Sequence, residues 1–104
     1  MKYDRVVHVI SRKRLKEAAE KHSELAEPLD DWFRLVKRAA WESIVDVRRI
    51  FPHADAAGDC TVFNIKGNSF RLIARIRYQL RRVYILSVLT HAGYDKGDWK
   101  NDCL

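Results

Sequence analysis

Residues 69–78, SFRLIARIRY, alternate with a period of two, and this pattern constrains the chain more than any other stretch. Phe70, Leu72, Ala74, Ile76 and Tyr78 fall on one side of an extended strand, and Arg71, Arg75 and Arg77 fall on the other with Ile73 among them. A helix would scatter these two sets around its axis, so the C-terminal half must build a sheet. Residues 61–65 read as the preceding strand, joined through the hairpin loop Lys66-Gly67-Asn68. After a turn over residues 79–82, residues 83–90 are apolar on both faces, as expected of a central strand.

Upstream the period is helical. Residues 5–10, RVVHVI, form a short strand, and Ser11 is then a suitable N-cap for a helix bearing Leu15, Ala18, Ala19 and His22 on one side. Lys13 with Glu17, and Lys16 with Glu20, stand four apart on its wet side. A second helix opens at Pro28, with Leu29, Trp32, Phe33, Val36 and Ala40 as its apolar stripe and Trp41 at its end. A third, over residues 43–50, presents Ile44 and Val47 with Phe51 behind them, and Pro52 stops it. The aromatic stripe is expected to be core. Residues 54–59 have the composition of a loop, and the tail from Tyr94 is expected to form a short helix using Trp99. The order predicts an α+β fold over residues 1–104 as one domain. An N-terminal strand and two or three helices pack on a C-terminal antiparallel sheet, and the first strand joins that sheet beside a later one.

Charge adds a direction. The net charge is +6. Residues 1–59 are nearly balanced, whereas residues 60–94 carry Lys66, Arg71, Arg75, Arg77, Arg81 and Arg82 and no acid. Such a segment attracts a polyanion. Cys60 and Cys103 are the only cysteines. Their number and spacing fit neither a disulfide-dense secreted scaffold nor a zinc site, so two free thiols are expected, with one disulfide as the alternative. No apolar run of membrane-spanning length and no signal-peptide core is present, which points to a cytoplasmic protein without membrane partners.

Chemistry concentrates at VLTHAGYDK, where His91, Tyr94, Asp95 and Lys96 follow the end of a strand. His91 shares parity with Val83, Ile85, Ser87 and Leu89, and strand register decides whether that is the arginine face. Guanidinium groups beside an imidazole and a phenol suit phosphodiester chemistry. RNA brings its own nucleophile, the 2′-hydroxyl, so a ribonuclease needs a base, an acid and positive charge for the transition state. His91, Tyr94 and Lys96 could move protons, Arg71 and Arg75 could hold charge, and Asp95 would orient a base or pair with a cation. No metal cluster or cofactor motif is evident. The competing reading is a basic domain that binds RNA or the ribosome without chemistry.

The succession VHVISRKRL, AAW, FPHADAAGDCTVFNIKGNSFRLIARI and THAGYDK-x-x-W resembles the HigB family of bacterial toxins, within the RelE-like superfamily. The resemblance runs from about His8 to Trp99. It implies a microbial-RNase-like α+β fold and an endonuclease that cuts mRNA during translation, in the ribosomal A site. It also implies a helix-turn-helix antitoxin that contacts operator DNA in complex with the toxin. Carried over residue by residue, it matches the Gly67-Asn68 turn, Arg71, His8 and the terminal His91, Tyr94, Asp95 and Lys96, and His91, Tyr94, Arg71 and Lys96 are the expected catalytic set. Lys66, Asn68, Arg75, Arg77 and His8 would position RNA or ribosome. Gly93 departs from the pattern, because an acid is expected there.

Overall fold

The computed structural model describes residues 7–104, so residues 5 and 6 of the expected first strand lie outside the described residues. The chain runs β1 (His8–Ile10), α1 (Lys13–Lys21), a 3-10 turn (Ser23–Leu25), α2 (Ala26–Lys37), α3 (Ile44–Ile50), β2 (Asp55–Ala57), β3 (Cys60–Ile65) and β4 (Phe70–Arg77). A second 3-10 turn (Tyr78–Leu80), β5 (Arg82–Thr90), α4 (His91–Lys96) and a last 3-10 turn (Asp98–Asp102) complete it. The five strands form one sheet in the order β1-β5-β4-β3-β2. Strands β2 to β5 are antiparallel neighbours, and β1 pairs parallel with β5, His8 opposite Arg82. The expected α+β architecture is the observed one, with β1 making the sheet mixed.

The helix face of the sheet carries the main core. Leu25, Leu29, Trp32, Val36 and Val47 from the helical half meet Phe63, Leu72, Ala74, Val83 and Ile85 from the strands. Trp32 and Phe51 meet the Phe63 ring edge-on at 5.4 and 5.1 Å, and Trp41 stacks on it at 6.4 Å. Burying a ring such as Phe63, which is 0% exposed, contributes about 1.5–3 kcal/mol. The expected aromatic stripe is core, except that Phe33 is only half-buried and that α2 ends at Lys37, which leaves Ala40 exposed and buries Ala39 instead.

Several local expectations are corrected. Ser11 is not an N-cap: it takes a left-handed φ of 71°, and Arg12 begins α1 without a side-chain cap. Ser43 does cap α3, its hydroxyl accepting from Val45 N. Residues 54–59 are not merely a loop, because β2 forms there by pairing with β3. The terminal helix begins at His91 rather than Tyr94, since the Thr90 hydroxyl caps it by accepting from Gly93 N.

Two corrections affect the other face of the sheet. Ile73 lies opposite Ser87, but Ala74 lies opposite Ile85, so Leu86 is an extra residue on β5. This irregularity divides the parity series expected along β5. Val83 and Ile85 oppose Ile76 and Ala74 on the helix face, whereas Ser87 and Leu89 oppose Ile73 and Arg71 on the arginine face. Nor is that second face open. Trp99 and Cys103 return across it onto Cys60, Val62 and Ile73, and Leu86, Leu89 and Tyr94 pack against this second cluster.

The cysteines are therefore not free thiols: Cys60 and Cys103 form a disulfide, 43 residues apart in sequence. The pairing depends on tertiary structure, because β3 presents Cys60 on the face that the tail crosses. Asp59 N donates to Cys103 O at 2.8 Å, and Arg75 Nη2 donates to Asp102 O at 2.7 Å. Gly58 makes this approach possible: a Cβ at that position would overlap the Cys103 carbonyl oxygen. With the tail in place, Arg71 and Arg75 are not an exposed ladder.

Candidate active site

The site grows from the β3–β4 turn. Lys66 and Gly67 both adopt left-handed backbone, with φ 53° and 63°, which turns the chain tightly enough for Ile65 to pair with Phe70. Asn68 follows, and its carbonyl oxygen accepts from Arg71 Nη1 at 3.0 Å. Its side-chain oxygen accepts from Arg71 Nη2 at 2.7 Å, and the Phe70 carbonyl accepts from Nη1 at 3.3 Å. Arg71 is only 8% exposed, and no acid pairs with it among the described residues. Neutral oxygens fix the guanidinium while no acid among the described residues compensates its charge. Such a cation is oriented before any ligand arrives.

The end of β5 supplies the second half. His91 N donates to Ser69 O at 3.0 Å, tying the start of α4 to the turn. His91 Nδ1 lies 3.1 Å from the Asn68 carbonyl, which already receives Arg71. A carbonyl oxygen has no proton to give, so this contact places the imidazole proton on Nδ1. Nε2 lies 3.2 Å from Asp95 Oδ2.

Helical spacing then selects which neighbours join. At 100° per residue, His91, Tyr94 and Asp95 share one side of α4, and Lys96 lies about 140° round from His91. The Tyr94 ring centre is 5.0 Å from the Arg71 guanidinium carbon. Tyr94 also stacks on Trp99 at 5.1 Å and 10°, and Trp99 Nε1 donates to Tyr94 O at 3.0 Å. The phenol ring thus touches both the indole and the guanidinium.

The structure brings together Asn68, Arg71, His91 and Tyr94, with Lys66 exposed on the adjoining turn. Lys96 is exposed nearby, without an ion pair or hydrogen bond among the described residues. Arg75 lies further along β4 and is engaged by the tail, through Asp102 O and a 4.0 Å approach to Asp59. Its Nε is buried without a hydrogen-bond partner, so the Asp59 contact is a long-range ion pair only. Arg77 and His8 are elsewhere: Arg77 opposes Arg82 at the far end of β4, and His8 opposes Arg82 from β1. Arg77 lies six residue steps along the strand from Arg71, about 20 Å. Sequence reasoning placed Trp99 in the tail without a role at the site. Its signal was an aromatic residue five positions after Tyr94, meaningful only once the tail folds back.

Residues 25–97 match a family model described as HigB_toxin, RelE-like toxic component of a toxin-antitoxin system. The chain belongs to this family. The HigB relatives include the mRNA interferase toxin HigB of Escherichia coli strain K12. It is 29% identical over 92 residues, spanning 86% of this chain and 88% of the relative. The mRNA interferase HigB of Escherichia coli O6:H1 is 29% identical over 93 residues, spanning 86% and 90%. The same name belongs to a Shigella flexneri relative, also 29% identical over 92 residues. HigB membership makes an antitoxin the partner of this chain. No described helix is long and apolar enough to cross a membrane.

Proposed function

We propose that this protein is an endoribonuclease that cuts mRNA on the ribosome without a metal ion, and so inhibits translation as the toxin of a cytoplasmic toxin–antitoxin module. The observation that carries this reading is the buried, acid-free Arg71, held by Asn68 within one turn of His91 and Tyr94. The family and the names of its relatives supply the substrate class.

In this reading the scissile phosphate meets Arg71 and draws on the charge of Lys96. The RNA 2′-oxygen forms a bond to phosphorus as the P–O5′ bond breaks. The 2′-hydroxyl proton passes to a base, and a second proton reaches the departing 5′ oxygen. The products are a 2′,3′-cyclic phosphate and a 5′-hydroxyl. His91 exchanges its proton at Nε2, because Nδ1 is committed to Asn68, and RNA enters where Asp95 Oδ2 approaches that nitrogen at 3.2 Å. Tyr94 serves the other transfer. Lys66 and Asn68 position the message beside the site, while Arg75, Arg77 and His8 meet RNA or ribosome farther away. The antitoxin would be of helix-turn-helix type, and operator DNA would be contacted through the complex.

Mapping 5′ ends on translating ribosomes and on the same message free in solution, each with and without EDTA, tests this reading. Cuts confined to the ribosome, located in its A site and insensitive to EDTA, are expected. Ribosome binding without new 5′ ends would instead establish a non-catalytic RNA- or ribosome-binding domain.

A further inference from the structure

The helix side of the molecule carries a groove that the proposed chemistry leaves unused. It lies between α1 and α2, has a volume of about 390 Å³, and is floored by Leu15, Leu29 and Phe33. A second hollow of about 270 Å³ continues it toward β1, and the two share Arg12 and Phe33. Arg12 lies over the Phe33 ring at 4.1 Å, at the junction.

The charges around this groove are one-sided. Lys13 and Lys16 stand at i, i+4 spacing from Glu17 and Glu20, yet neither forms an ion pair among the described residues, and both line the groove. Asp30, the acid on its wall, is already paired with Arg34 at 3.0 Å. Lys37 extends the cationic wall along the second hollow. An apolar floor between two helices, walled by cations that form no ion pair among the described residues, fits an amphipathic helix with an acidic polar side. The apolar floor favours a protein over RNA, because a nucleic acid would use the cations and leave Leu15, Leu29 and Phe33 uncovered.

We propose that this groove is the docking surface for an acidic amphipathic helix of the antitoxin. The inference rests on family membership for the existence of that partner and on the groove for its chemistry. Arg71 faces away from the helix layer, so an antitoxin helix seated here leaves the Arg71–His91 site uncovered.

The test uses the full-length chain and its full-length antitoxin. Two variants are compared with the parent: Lys13→Glu/Lys16→Glu, which reverses the wall, and Ala26→Trp, which fills the groove from an exposed position on its rim. Affinity is read by titration calorimetry at two salt concentrations, and mRNA cleavage on ribosomes is read separately. Each variant is expected to bind antitoxin at least about tenfold more weakly, with the parent affinity falling as salt rises. Cleavage should stay within about twofold of the parent. Unchanged antitoxin affinity in both variants overturns the docking surface. So does a loss confined to ribosome association, which would make the groove an RNA contact. If the parent itself does not cleave, the proposed activity fails, while the calorimetry still decides the docking surface.

Discussion

The Arg71 guanidinium lies 5.0 Å from the centre of the Tyr94 ring, with its other contacts made to oxygens of Asn68 and Phe70. Aromatic face and carbonyl oxygens together orient the cation without neutralising it. Replacing Arg71 by Ala should lower ribosome-programmed cleavage by about 10²–10³-fold, the range for losing one preorganised transition-state contact. Arg71→Lys keeps the charge but not the fork that spans the two Asn68 oxygens, so it should recover little. Single-turnover cleavage of the two variants, with melting curves to verify folding, measures the difference.

His91 is exposed, and its side chain contributes little to packing. His91→Ala should therefore leave thermal stability within about 0.5 kcal/mol of the parent while reducing cleavage by about 10²–10⁴-fold. Asp95→Asn removes the carboxylate at Nε2 and leaves the Nδ1 contact with Asn68, so its loss should be smaller than that of His91→Ala. An Asp95→Asn variant as inactive as His91→Ala would give the carboxylate a direct part in proton transfer.

What could be read from sequence, and what could not, divides along a physical line. Strand β4, the Lys66–Gly67 turn and the apolar stripe of α2 follow from local periodicity and turn chemistry, and they were legible. Strand β2 has the sequence Asp-Ala-Ala, which carries no strand preference, and exists because β3 offers it an edge. The extra residue at Leu86 is invisible in an apolar run, yet it determines which β5 side chains join Arg71. The Cys60–Cys103 bond and the Tyr94–Trp99 stack both require the tail to cross the sheet, a contact that no local pattern encodes. The THAGYDK stretch was identifiable, but its geometry depended on these long-range events.

The disulfide gives the next prediction. For a closure spanning 43 residues, chain entropy corresponds to about 4 kcal/mol of stability. Reduction by a dithiol, or Cys103→Ser, should lower the denaturation midpoint accordingly. Because Tyr94 and Trp99 belong to the tail that the bond retains, cleavage should fall along with stability. A Cys60→Ser/Cys103→Ser variant should start at the reduced level and no longer respond to dithiol. Denaturation and cleavage, each measured with and without reductant, check both statements.

Burial pushes the Tyr78 phenol above its ordinary value of 10.0; a hydrogen bond with Thr61 opposes that shift and the negative charge of Asp46 adds to it. The neutral phenol is thus favoured in the folded state. Its contribution to stability is complete below the unfolded value and is lost as pH rises through the folded one. Denaturation midpoints should decline on the alkaline side of pH 10, and Tyr78→Phe, which cannot ionise, should decline less steeply over that range.

Trp99 and Tyr94 allow the proton-transfer assignment to be separated from packing. Trp99 is 8% exposed and closes the second core, so Trp99→Ala should cost about 3–5 kcal/mol and depress cleavage by releasing Tyr94. Trp99→Phe keeps a ring to stack on Tyr94 but loses the 3.0 Å hydrogen bond to its carbonyl, so both losses should be intermediate. Tyr94→Phe preserves the ring over Arg71 and removes only the hydroxyl. If that hydroxyl transfers a proton, Tyr94→Phe should lose at least about 10²-fold in cleavage with an unchanged melting temperature. Activity retained in Tyr94→Phe but lost in Trp99→Ala would restrict the phenol ring to holding Arg71 and move the second proton to another group. Single-turnover rates on ribosomes across the pH range, paired with melting curves for the three variants, distinguish these outcomes.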